Sequence, residues 1–150
     1  MQSIRFIRTL AFAFIMLALS AAAQARIPLT DRRLASKIVF LSNHCCTGKT
    51  VPSWKDAVSK DATILVYMPG ADYEGLAAKL SAAGLDAQTP CLLVSHATSA
   101  QQQVHPMTLT DLAKAACLPA PVLLVIGAVA GQYSRQAVEA DMQLDYPHRR

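Results

Sequence analysis

The chain has 150 residues, of which 53% are hydrophobic and 16% charged, with a formal net charge of +4. This composition excludes intrinsic disorder, which requires low hydrophobicity and high net charge, and the length predicts one domain of about 100–200 residues. Arg5, Arg8, Arg149 and Arg150 carry the basic excess, so the body between them is balanced, and a nucleic-acid partner, which needs a clustered basic face, is not expected.

The first 25 residues admit two readings. Arg5 and Arg8 before an apolar run from Leu10 to Leu19, then Ala23-Gln24-Ala25, have the order of a secretory signal. The same stretch also fits an alanine-rich core helix, because it is apolar all round and periodicity cannot separate the two. The apolar run is shorter than the ~20 residues of a membrane span. Domain boundaries are set accordingly: 1–25 signal or core helix, 26–134 a folded domain, and 135–150 a tail without clear period that frays.

Lys37-Ile38-Val39-Phe40-Leu41 is a β-branched apolar run and predicts a strand. Ser42 to Pro52 is rich in turn formers and predicts a loop, after which Ser53 and Asp56 predict a short capped helix over Trp54 to Ser59. Thr63-Ile64-Leu65-Val66-Tyr67 is continuously apolar, as in a strand covered on both faces, and Pro69-Gly70 stops it. Asp72 caps a helix with Leu76, Ala77, Leu80 and Ala83 on one face, ended by Gly84. Cys91 to Val94 and Val122 to Ile126 predict further buried strands, and Gln103 to Met107 a weaker one. Thr108 and Asp111 form a capping box for a helix through Leu112, Ala113 and Ala116. Alternating strands and helices predict an α/β fold, a mostly parallel or mixed sheet flanked by helices.

Local motifs with chemical meaning are incomplete. Gly48-Lys49-Thr50 resembles the end of a phosphate-binding loop, but Asn43 stands where the first glycine belongs and Val51-Pro52 follows where a helix must start. His44-Cys45-Cys46 lacks the paired spacing of a zinc site, with only His96 and His105 as further candidates. Ser95 and His96 are adjacent on a strand and point to opposite faces, so a nucleophile–base bond is not expected. Cys91 and Cys117 read as buried small hydrophobes rather than parts of a disulfide framework.

A longer pattern emerges from order and spacing. Ile27-Pro28-Leu29-Thr30-Asp31-Arg32 resembles the "GIPLTHR" segment of uroporphyrinogen-III C-methyltransferases, members of the tetrapyrrole methylases. Phe40 to His44 is similar to that family's "TGH" segment, and Trp54 with Asp61 to Met68 to its "W…aTLVvYM". Leu76 to Leu80, Ala83-Gly84-Leu85, Thr89 to Val94, Ala97-Thr98, Thr108 to Leu112 and Pro121 to Gly127 follow in the family's order. The similarity runs from about Ile27 to Val129 and resembles the C-terminal half of the family. Leu19 to Ala25 also resembles the alanine-rich helix before "GIPLTHR", which favours the core-helix reading.

The resemblance implies a two-lobe α/β enzyme with S-adenosylmethionine between the lobes, forming homodimers and methylating uroporphyrinogen III to precorrin-2 for sirohaem and cobalamin. It implies that Met68 contacts the cofactor, that the small residue Ala97 lets backbone approach it, and that the location is cytoplasmic, export being the alternative. The family's "GxGPGD" loop, acidic catalytic residue and "GGDP" segment match nothing here, so the chain alone is expected to be inactive, or to serve as a partner-binding or non-catalytic lobe alongside a separate N-terminal lobe. Departures include Pro69 after Met68, which removes an N–H donor, Asp31 for histidine, Ser42-Asn43-His44 for "TGH", and Gln103 for the arginine of "QRVV". Arg32 matches the family arginine, with no catalytic role assigned.

Overall fold

A computed structural model describes residues 26–42, 54–96 and 99–144, with five helical positions (16, 19, 20, 22 and 23) before them. The element order is β1 (Lys37–Ser42), α1 (Trp54–Ala57), β2 (Ala62–Tyr67), α2 (Tyr73–Ala82), β3 (Pro90–Ser95), β4 (Gln103–Thr108), α3 (Leu109–Leu112), β5 (Val122–Ile126) and α4 (Ala128–Leu144). The strands form one mixed sheet in the order β1-β2-β5-β3-β4. Among the described strands only β1 and β2 pair in parallel; β2–β5, β5–β3 and β3–β4 are antiparallel.

The continuous apolar runs follow from cover on both faces. On one face Ile64, Val66, Leu93, Leu124 and Ile126 pack with Leu76, Leu80, Leu109 and Leu112 of the helices. On the other, Leu65, Leu92, Val94, Leu123 and Val125 pack against Val129 and Ala130 of α4 and against Ala22, Ile27 and Ala35. Ala22, from the segment with two readings, is 1% exposed. Burying a Leu, Ile or Val contributes about 1.5–3 kcal/mol, so the two faces of the central strands hold the layers together.

Local signals fix the helix ends. The Asp72 carboxylate accepts from the Gly75 amide at 2.8 Å, capping α2. At its far end Gly84, at φ 104°, donates to the Ser81 carbonyl, and Leu85 donates to that of Leu80, a closure that suits glycine's freedom at positive φ. The Thr108–Asp111 capping box is present.

Three expectations need correction. The helix opened by Thr108 ends at Leu112, not Ala116. Beyond it Lys114 and Ala115 donate to carbonyls three residues back, a tighter turn, and Ala116 is exposed with no face to pack against. Cys91 is buried as expected, but Cys117 is exposed on the loop after α3. The tail is helical as far as Leu144. Val129 and Ala130 anchor the first turn of α4 on the sheet, and the helix propagates through good formers such as Gln136, Ala137, Glu139 and Met142.

Candidate functional site

Because β2 and β3 both run antiparallel to β5, and β1 runs parallel to β2, the carboxyl ends of β1, β2 and β3 share one end of the sheet. That end is where β5 begins. Met68, just past β2, donates its amide to the Val122 carbonyl at 3.2 Å, and His96, just past β3, donates its amide to the Pro121 carbonyl at 3.0 Å. Both residues hold left-handed backbone, φ 49° at Met68 and φ 47° at His96. Such a conformation costs a non-glycine residue about 1–2 kcal/mol, and the two bonds, to Val122 at the start of β5 and to Pro121 just before it, hold it in place. The chain therefore turns sharply off the sheet at the ends of the two strands that flank β5.

Met68, singled out in the sequence, is 39% exposed there, an unusual exposure for a large apolar side chain in this fold. Ala97, its expected companion, lies outside the described residues, as do the His44-Cys45-Cys46 and Gly48-Lys49-Thr50 motifs. Sequence reasoning discarded Ser95 as a nucleophile, and its hydroxyl indeed makes no bond to His96. It is nevertheless notable, because Ser95 is fully buried and its Oγ has no hydrogen-bond partner among the described residues. A buried polar group left unpaired costs about 1–3 kcal/mol. The exposed Met68 side chain offers an apolar contact at this strand end. Among the described residues no cluster of histidine, cysteine and acidic side chains could hold a metal ion, and no helix is long and apolar enough to cross a membrane.

Asp31 and Arg33 shape the segment leading into β1. The Asp31 carboxylate accepts from the Arg33 amide at 2.8 Å and pairs with its guanidinium at 2.9 Å. The hydrogen bonds from Arg33 hold the Asp31 carboxyl at about 2. Aspartate at this position thus closes a local turn. Arg32 is exposed beside it.

A recess of about 490 Å³ lies at the opposite end of the sheet, where β2 and β3 begin and β5 ends; Ala62, Pro90 and Gly127 line it. Gly127 is required there, since a Cβ would sit 2.8 Å from the Ala62 carbonyl oxygen and its φ is 126°.

A mixed sheet covered on both faces, with turns gathered at the carboxyl ends of three strands, is the layout of an α/β ligand-binding lobe. The chain belongs to the tetrapyrrole (corrin/porphyrin) methylases, whose family profile matches residues 15–113. It is 36% identical over 121 residues to Siroheme synthase 2 of Aeromonas hydrophila, covering 80% of this chain and 26% of that protein. It is 36% identical over 114 residues to Uroporphyrinogen-III C-methyltransferase of Paracoccus denitrificans, covering 73% of this chain and 40% of that protein. A solved Uroporphyrin-III C-methyl transferase of Thermus thermophilus, complexed with S-adenyl homocysteine, superposes with a TM-score of 0.62 and 25% identity over 73% of this chain and 47% of that one. The chain thus spans between about a quarter and a half of the length of these relatives.

Proposed function

We propose that this chain forms one wall of the S-adenosylmethionine site of a uroporphyrinogen-III C-methyltransferase, the activity that yields precorrin-2. The observation that carries the reading is the pair of left-handed residues, Met68 and His96, bonded to Val122 and Pro121 at the ends of the two strands that flank β5. A family member of known structure holds S-adenyl homocysteine, and the alignment with it covers 73% of this chain. In this reading the Met68 side chain and the backbone at Ala97 contact the cofactor, and the sharp exits at residues 68 and 96 keep bulk away from it. The bound cofactor supplies a methyl group on a sulfonium centre. The chain's own contribution is positioning, worth up to roughly 7–11 kcal/mol of a barrier when both reactants are held correctly.

Holding the two reactants requires an opposite wall, which we assign to the portion of the relatives' length that this chain does not match. Assayed by itself the polypeptide is then inactive on uroporphyrinogen III, and activity returns when the amino-terminal portion of the Paracoccus denitrificans relative is supplied separately. Turnover by the chain alone counts against the reading, and so does failure of a folded mixture to turn over. We assign a cytoplasmic location, with residues before Arg26 serving the fold rather than export; the burial of Ala22 supports this.

A second reading is favoured by one observation, the exposure of Phe40 on the edge strand β1 together with that of Met68. Here the chain is a non-catalytic lobe that pairs with a partner, a second copy or a separate N-terminal lobe. Pairing without methyl transfer in the same mixture selects it.

A further inference from the structure

We propose that the recess at the sheet end opposite Met68 is a second ligand site, and that it takes a small amphipathic anion, an apolar ring or chain bearing one carboxylate, sulfonate or phosphate. The inference is independent of the methyl-transfer reading, because it uses none of Met68, Ser95, His96 and Ala97.

The recess has a volume of about 490 Å³, inside the range of roughly 300–1,000 Å³ typical of small-molecule sites. Leu34, Ala62, Ile64, Leu85 and Pro90 give it apolar walls. Two cationic side chains, Lys60 and Arg135, line it, one before β2 and the other on α4. Among the side chains that the structure describes, which end at Gln136 in α4, neither forms an ion pair. Asp86 also lines the recess, and its carboxylate already accepts from the Gln88 amide at 2.8 Å. Two cations against one carboxylate leave the rim positive, and cations over an apolar floor match a ligand with a charged head and an apolar body.

Beyond Arg135 the recess adjoins a second one, lined by Arg33, Leu34 and Gln132.

The test is a titration of the full chain with naphthalene-1-sulfonate, and separately with uncharged 1-naphthol, followed by amide shifts at Gly127 to Gly131 and by calorimetry. The sulfonate is expected to bind saturably and to move those amides. Replacing both exposed cations, Lys60→Gln and Arg135→Gln, is expected to weaken sulfonate binding about tenfold or more while leaving naphthol binding within about twofold, since only the charged head is affected. These surface changes leave the core intact, and an unchanged amide spectrum elsewhere verifies it. No saturable binding up to millimolar sulfonate, or equal affinity in the double variant, overturns the proposal.

Discussion

The Met68 amide donates to the Val122 carbonyl at 3.2 Å while Met68 itself is held at φ 49°. The bond and the left-handed backbone belong together, because the turn off β2 exists only while β5 lies alongside. Met68→Gly removes the side chain and the strain at once, so unfolding stability changes by no more than about 1 kcal/mol. Met68→Val places a β-branched side chain in the same backbone and lowers stability by about 1–2 kcal/mol. Urea unfolding midpoints of the two variants give the comparison.

Gly127 and Gly84 separate steric contact from backbone strain. Both have positive φ, but a Cβ at Gly127 meets the Ala62 carbonyl oxygen at 2.8 Å, whereas nothing lies within 4 Å of one at Gly84. Gly84→Ala is expected to cost about 1–2 kcal/mol from strain alone. Gly127→Ala is expected to cost more, roughly 2–4 kcal/mol, because backbone must also move. Equal losses in thermal or urea unfolding would contradict the contact.

A chain beginning at Arg26 loses Ala22 from the sheet cluster, together with the bonds from the Arg26 amide to Ala23 and from the Ile27 amide to Ala22. The expected destabilisation is about 2–3 kcal/mol, from two hydrogen bonds and the uncovered apolar surface. A signal peptide could be removed at no such cost, so equal stability of the long and short forms would favour the export reading.

The two described cysteines should differ in reactivity. Burial pushes the Cys91 thiol up to about 12, while Cys117 is exposed. Since the thiolate is the nucleophile, iodoacetamide at mildly alkaline pH should label Cys117 in the folded chain and spare Cys91 until denaturant is added. Peptide mass spectrometry reads both sites.

Acid should act through Asp61. Hydrogen bonds from Ser59 and Ser36 hold its carboxyl at about 2, helped by Lys37 at 3.4 Å. Its pKa is lower folded than unfolded, so its contribution is complete above the ordinary carboxylate value near 4 and is lost as pH falls toward 2. Asp61→Asn should therefore be less stable than the parent at neutral pH and converge with it at about pH 2. Urea midpoints across that interval would expose a constant difference, the contrary result.

Much of this fold was legible because its signals are local. The strand Val122 to Ile126 is a continuous apolar run between Pro121 and Gly127, and α2 carries its own start and stop in Asp72 and Gly84. What was not legible depends on which elements become neighbours. Nothing in a run of apolar residues says that β5 inserts between β2 and β3, yet that insertion creates the Met68 and His96 turns. The burial of Ser95 and the recess shared by Lys60 and Arg135 likewise arise from segments far apart in sequence. Cys117 was misread because apolar neighbours such as Ala116 and Leu118 suggest burial, whereas its loop has no layer above it.

The most direct measurement is an NMR titration of the methionine methyl groups and backbone amides with S-adenosylhomocysteine. Cofactor contact at the strand ends predicts shifts at the Met68 methyl and at the amides of Val94 to Ala97, with Pro90-side residues and Gly131 unmoved. An unmoved Met68 methyl at millimolar ligand, or shifts confined to the Gly127–Gly131 end, would contradict it.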